Sequence, residues 1–180
     1  NDIAAVIVEP TGSSFGMVPM TQEFLQSVRK FTEEQGVIFI FDEVVTGFRC
    51  SPGGAQQAFD IKPDLTTLAK ILAGGLPGGA VAGRKDILDD LDFERAAAQG
   101  REKIGHPGTF NANPVSAAAG IAALKIIEQT DACEKANTSA AILRENFNNI
   151  LDKHNVPWAA YGTFSGVHLY MNKNGQTINQ

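Results

Sequence analysis

Two polar residues stand out because their neighbours are apolar. Asp42 follows the run Val37-Ile38-Phe39-Ile40-Phe41, and Lys70 lies between Leu68-Ala69 and Ile71-Leu72-Ala73-Gly74-Gly75. A carboxylate at the carboxyl end of a buried strand sits where open α/β sheets bind ligands. A lysine in apolar company has its charged form disfavoured, and a neutral amine can attack a carbonyl to form an imine. Glycines just beyond it let a bulky ring come close to the backbone. Taken singly, each residue also has a plainer role. Asp42-Glu43 would serve as a solvated strand end or helix cap, and Lys70 would pack its stem on apolar surface with its head in water.

Taken together they point to one chemistry. An imine-forming lysine, and a carboxylate able to keep a pyridine nitrogen protonated, are what pyridoxal 5'-phosphate (PLP) requires, because the protonated ring is an electron sink. A third element suits the phosphate. Gly108-Thr109 precedes Asn111-Ala112-Asn113-Pro114 and a long alanine-rich stretch. A hydroxyl and backbone N–H groups near a helix start favour an anion, although Asn113 also serves as an ordinary cap.

These residues need a scaffold, and the hydrophobic pattern supplies one. Ile3 to Val8 and Val37 to Phe41 are near-continuous apolar runs, as expected of strands buried on both faces of a parallel sheet. Between them Thr21 is an N-cap for a helix whose Phe24, Leu25, Val28 and Phe31 recur at helical spacing, with Gly36 as its stop. A strand-helix-strand unit of this kind has a right-handed crossover by default. Leu65 to Leu68 and Ala80 to Ala82 are shorter candidate strands, separated by a glycine-rich stretch. Asp86 to Gln99 could hold a helix, in a charged excursion that runs on to Pro107. Helices are expected over Pro114–Glu128, with Asn113 as cap and proline at the first position, and over Cys133–His154. After Pro157, Val167 to Tyr170 reads as a strand. The fold class is α/β, a mostly parallel sheet with helices on both faces.

The stretches Asp42-Glu43-Val44-Val45-Thr46-Gly47-Phe48-Arg49, Leu68-Ala69-Lys70-Ile71-Leu72-Ala73-Gly74-Gly75-Leu76-Pro77 and Gly108-Thr109-Phe110-Asn111-Ala112-Asn113-Pro114 resemble the class III aminotransferases. Within that family they are most similar to the glutamate-1-semialdehyde 2,1-aminomutase branch. The resemblance runs from about residue 3 to about residue 171 and implies the PLP fold type I. Residues 1–156 would be the cofactor-lysine half of the large domain, and 157–180 the start of a small C-terminal α+β domain. It implies that Lys70 forms the Schiff base and shuttles the proton, and that Asp42 pairs with the pyridine nitrogen. Val44 would pack on one ring face. Gly108 and Thr109 would bind phosphate across the interface of a homodimer, and Glu9, in Val8-Glu9-Pro10, would lie near the active site. The substrate would be a small amino or keto compound. The chain departs from the pattern in two respects: Asp86 to Pro107 is longer than in the aminomutase branch, and the family's earlier phosphate loop and ring-stacking aromatic are expected to lie before Asn1.

Bulk properties narrow the field. The chain has 180 residues, 43% hydrophobic and 19% charged, which is a globular composition. A net charge of -5, with no run of basic residues longer than two, argues against nucleic acid and anionic membrane as partners. No apolar run approaches a membrane span. Cys50 and Cys133 stand far apart with no metal-type spacing, which suits a reduced, cytoplasmic setting. Gly12-Ser13-Ser14-Phe15-Gly16 matches the G-x-S-x-G pattern, so Ser14 gives a serine hydrolase as the competing reading. Pro10-Thr11 before it and Met17-Val18-Pro19 after it break the strand-turn-helix that the elbow needs. A non-catalytic binding fragment is the other alternative. The first methionine, Met17, falls after the first strand, so the chain is expected to be part of a longer one and inactive alone.

Overall fold

The computed structural model describes residues 2–12, 16, 18–102 and 104–172. Four strands make the main sheet: β1 (Ala5–Val8), β2 (Ile38–Glu43), β3 (Leu65–Leu68) and β4 (Ala80–Gly83), in the order β1-β2-β3-β4. The first three are parallel, with Val8 level with Phe41 and Asp42 level with Thr67. The fourth runs antiparallel to β3 and pairs Val81 with Thr67. Its direction follows from the connection, the eleven residues from Ala69 to Gly79, which is too short for a crossover helix.

Helix α1 (Gln22–Gln35) joins β1 to β2. Thr21 caps it by accepting from the Phe24 N–H, and Gly36 ends it in the left-handed conformation that costs glycine little. Its Leu25 packs with Phe39, Phe41 and Ile61 into the core, and Val8, Met20, Val28 and Phe59 close around them. Leu25, Phe39 and Phe41 are fully buried, each contributing about 1.5–3 kcal/mol. Helix α2 (Gly54–Ala58) lies against β2 and was not foreseen, since five residues are too few to show a period. Phe39 and Phe41 point to the covered sheet face. On the opposite face, the Ile7 and Val81 side chains are exposed.

After β3 the chain makes a 3₁₀ turn, Lys70–Ala73, then enters the glycine-rich connection. The excursion after β4 is less regular than the single helix expected over Asp86–Gln99. It breaks into α3 (Lys85–Leu88), a 3₁₀ turn (Asp89–Leu91) and α4 (Phe93–Ala98). Asp92 breaks the run by capping α4, accepting from Glu94 N and Arg95 N. The long helices α5 (Pro114–Gln129) and α6 (Ala132–Lys153) match the expected spans within a residue or so, and Asn113 caps α5 through Val115 N and Ser116 N. A second sheet pairs β5 (Ala159–Tyr161) with β6 (His168–Tyr170), antiparallel. Asn148 of α6 anchors it by exchanging two hydrogen bonds with Ala160.

Candidate active site

The carboxyl ends of β1, β2 and β3 form one edge, and three of the expected residues lie along it. Glu9 follows β1, Asp42 is near the end of β2, and Lys70 lies two residues past β3. Neighbouring strands stand about 4.8 Å apart, so the register alone brings these groups into one neighbourhood. Val44 is in the turn just beyond β2.

Asp42 and Glu43 are adjacent in sequence, and strand alternation sends them to opposite faces. Glu43 is 1% exposed and lies on the same face as Phe41. It accepts from Ala55 N at 2.5 Å and Gln56 N at 3.2 Å, both at the start of α2, and from Thr46 Oγ1 at 3.0 Å and Gln56 Nε2 at 3.1 Å. It is a brace between β2, the turn after it and α2. Gly54 makes room for it, since a Cβ there would come within 2.3 Å of Glu43 Oε2. Asp42 is half-buried on the other face. Its Oδ1 accepts from Val44 N at 3.1 Å and from Thr67 Oγ1 at 3.0 Å. Among the described residues nothing donates to Oδ2, which leaves that oxygen for a ligand.

Lys70 is exposed and opens the 3₁₀ turn with φ 50°, a left-handed value unusual for lysine. No ion pair holds its amine among the described residues. The turn is seated on α5. A Cβ on Gly74 would come within 2.4 Å of the Ala119 carbonyl oxygen, and one on Gly120 within 2.5 Å of that of Leu72. The two glycines therefore let the Lys70 turn and α5 touch backbone to backbone.

Gly108 and Thr109 are exposed and line a groove of about 800 Å³ with Leu72, Ala73, Pro77 and Phe110. Lys70 and Asp42 do not line it. The structure thus brings Glu9, Asp42, Val44 and Lys70 to one strand edge and places Gly108-Thr109 on a groove that the Lys70 turn enters through Leu72 and Ala73. Gly108 sits tightly over its own turn, where a Cβ would come within 2.5 Å of Asn111 Oδ1. Asn111 in turn donates from Nδ2 to the His106 carbonyl at 2.9 Å.

Sequence reasoning passed over two polar residues, Thr67 and Asp64. Thr67 reads as an ordinary strand residue, and only the β2–β3 register reveals its bond to Asp42. Asp64 lies at the start of β3, where it accepts from Phe39 N, Arg29 and Arg84. Burial alone would raise its carboxyl, but these donors outweigh it and hold the group below the usual carboxylate range. Cys50 is buried beside Glu43. Burial first, then the Glu43 charge, push its thiol up to about 12, so it is a packing residue. Ser14 lies outside the described residues. Among the described residues no cluster of His, Cys, Asp or Glu could hold a metal ion, and no helix is long and apolar enough to cross a membrane.

A mostly parallel sheet that carries at its carboxyl edge, among the described residues, an open carboxylate oxygen and a lysine without an ion pair has the layout of an α/β ligand-binding domain. The family model for "Aminotransferase class-III" matches residues 1–179, and the chain belongs to that family. A glutamate-1-semialdehyde 2,1-aminomutase of Sulfurisphaera tokodaii is 45% identical over 154 residues, which cover 86% of this chain and 35% of the relative. The chain spans about a third of the length of the curated relatives it matches, between 34% and 38%. Among solved structures, an omega-transaminase from Sphaerobacter thermophilus superposes with a TM-score of 0.82 at 34% identity, covering 94% of this chain and 37% of the other. A transaminase with PLP bound gives 0.83 at 31% identity, covering 93% and 38%. These neighbours agree with the fold type I expected from the motifs.

Proposed function

We propose that the intact protein is a PLP-dependent enzyme of amino-group transfer acting on small amino and keto compounds. The observation that carries this reading is the β2–β3 edge, where Asp42 has Oδ1 engaged and Oδ2 open, and Lys70 offers an unpaired amine on the adjacent strand's extension. That donor set fits the cofactor: one anionic acceptor for a ring nitrogen and one amine for an aldehyde. Bound there, PLP supplies the electron sink for a carbanion at the substrate's α-carbon.

The chain's own residues then divide the work. Asp42 Oδ2 would accept from the protonated ring nitrogen and keep the proton there. Lys70 would bind the cofactor through Nζ and, once released from it, shuttle a proton to and from the substrate carbon that bears the amino group. Val44 would press on one ring face and exclude water. Glu9, which accepts from Thr11 Oγ1 at 3.0 Å, would supply a second carboxylate at the same edge. Gly108 and Thr109, exposed on their groove, would serve the phosphate of a neighbouring subunit's site in a cytoplasmic homodimer. Residues 1–156 would belong to the large cofactor domain, and the β5–β6 sheet, within 157–180, to the small C-terminal domain.

Two experiments test the reading. Borohydride treatment of the holoenzyme with peptide mapping should leave a phosphopyridoxyl group on Lys70; an adduct on Lys62 or Lys85 instead would overturn the assignment. Turnover with glutamate-1-semialdehyde alone, compared with a panel of amino donors and keto acceptors, distinguishes transfer within one molecule from transfer between two. No turnover of any of them, with PLP bound normally, would point to the non-catalytic alternative.

A further inference from the structure

We propose that Thr67 is a positioning residue for the ring-nitrogen carboxylate; the inference rests on the cofactor reading above. Asp42 and Thr67 are directly opposite in the parallel β2–β3 ladder, so their side chains emerge on the same sheet face. The Thr67 hydroxyl donates to Asp42 Oδ1 at 3.0 Å, and the Val44 N–H donates to the same atom at 3.1 Å. Two donors from different directions fix the carboxylate's rotation, a torsion that is otherwise broad. Oδ2 is thereby aimed without being engaged.

The neighbouring pair makes the assignment specific. Thr66 is level with Phe41, points to the core face, is buried, and meets Gln56 Nε2 at 3.4 Å. Thr66 and Thr67 are thus divided between the sheet faces as Glu43 and Asp42 are. Strand propensity would be met at position 67 by any β-branched residue, so valine would serve the fold equally well. What valine lacks is the donor. The backbone bond from Val44 survives any side-chain change, so Thr67 is the half of the clamp that substitution can remove.

The test uses the intact holoenzyme with Thr67→Val, Thr67→Ser, Asp42→Ala and the double variant Asp42→Ala/Thr67→Val. Measurements are the Kd for PLP by equilibrium dialysis, the thermal midpoint of the apoenzyme, and kcat and KM separately. Thr67→Val should raise the Kd for PLP about tenfold, the worth of one hydrogen bond to a charged group, while the apoenzyme midpoint moves little. Thr67→Ser should restore the affinity to within about twofold, since it keeps the donor. In the Asp42→Ala background, Thr67→Val should have no further effect on PLP affinity, because the two act as one unit. An unchanged Kd in Thr67→Val, or full additivity with Asp42→Ala, overturns the proposal. If Asp42→Ala alone leaves PLP affinity unchanged, the cofactor reading of Asp42 itself fails and the inference falls with it.

Discussion

Replacing either of two neighbouring acids by alanine should give opposite phenotypes. Glu43→Ala removes the acceptor for two backbone N–H groups at the start of α2, for the Thr46 hydroxyl and for the Gln56 amide. The site is 1% exposed, so water cannot replace the lost acceptor without entering the core. Each buried donor left unsatisfied costs about 1–3 kcal/mol. The two backbone groups cannot rotate away, whereas the two side chains can. Counting the backbone groups fully and the side chains partly puts the loss at roughly 4 kcal/mol. Asp42→Ala removes an acceptor from a half-buried edge, where Thr67 can turn its hydroxyl elsewhere. Its loss should be within about 1 kcal/mol. Urea unfolding of the intact apoenzyme followed by circular dichroism measures both, and PLP-dependent turnover completes the comparison. Glu43→Ala should lower the midpoint strongly, whereas Asp42→Ala should fold normally and lose turnover. A Glu43→Ala protein as stable as the parent, or an Asp42→Ala protein with near-normal turnover, would refute the division of labour between the two faces.

Gly74→Ala should destabilise the protein by about 1–3 kcal/mol and weaken PLP retention, because φ is 61° there and the new Cβ meets the Ala119 carbonyl; thermal melting and dialysis read both effects. Cys50 should resist thiol reagents at pH 8 in the native protein and react only on unfolding, its thiol being pushed up to about 12; rapid labelling by a disulfide reagent would contradict its burial. Asp64 has its folded carboxyl held below the unfolded value of about 3.9, so the stability it contributes is present above that pH and is lost as pH falls through the folded value. Asp64→Asn should therefore flatten the acid limb of the stability curve below about pH 4, and an unchanged limb would count against that linkage.

The strands and long helices were legible because their signals are local. Apolar runs, Thr21 and Asn113 as caps, and Gly36 as a stop each sit beside the element they define. Lys70 and Asp42 were legible for the same reason: each is a polar residue standing out from apolar neighbours. Less legible were features that depend on register between strands distant in sequence. The opposite facing of Asp42 and Glu43 follows from alternation, but what each meets does not. Thr67 and Asp64 acquire their meaning from residues 20 or more positions away. The split of the 85–98 segment was missed because helix propensity there is adequate throughout, and capping by Asp92 outweighed it.

The left-handed backbone at Lys70 carries a further consequence. A residue with a Cβ at φ 50° is held there against a penalty of about 1–2 kcal/mol, which the seating of the turn on α5 must offset. Glycine would be free of it. The position is therefore locally frustrated: the backbone favours one residue and the chemistry another. Engineering for thermostability alone would select glycine at residue 70 and, in doing so, discard the amine that Lys70 presents at the strand edge.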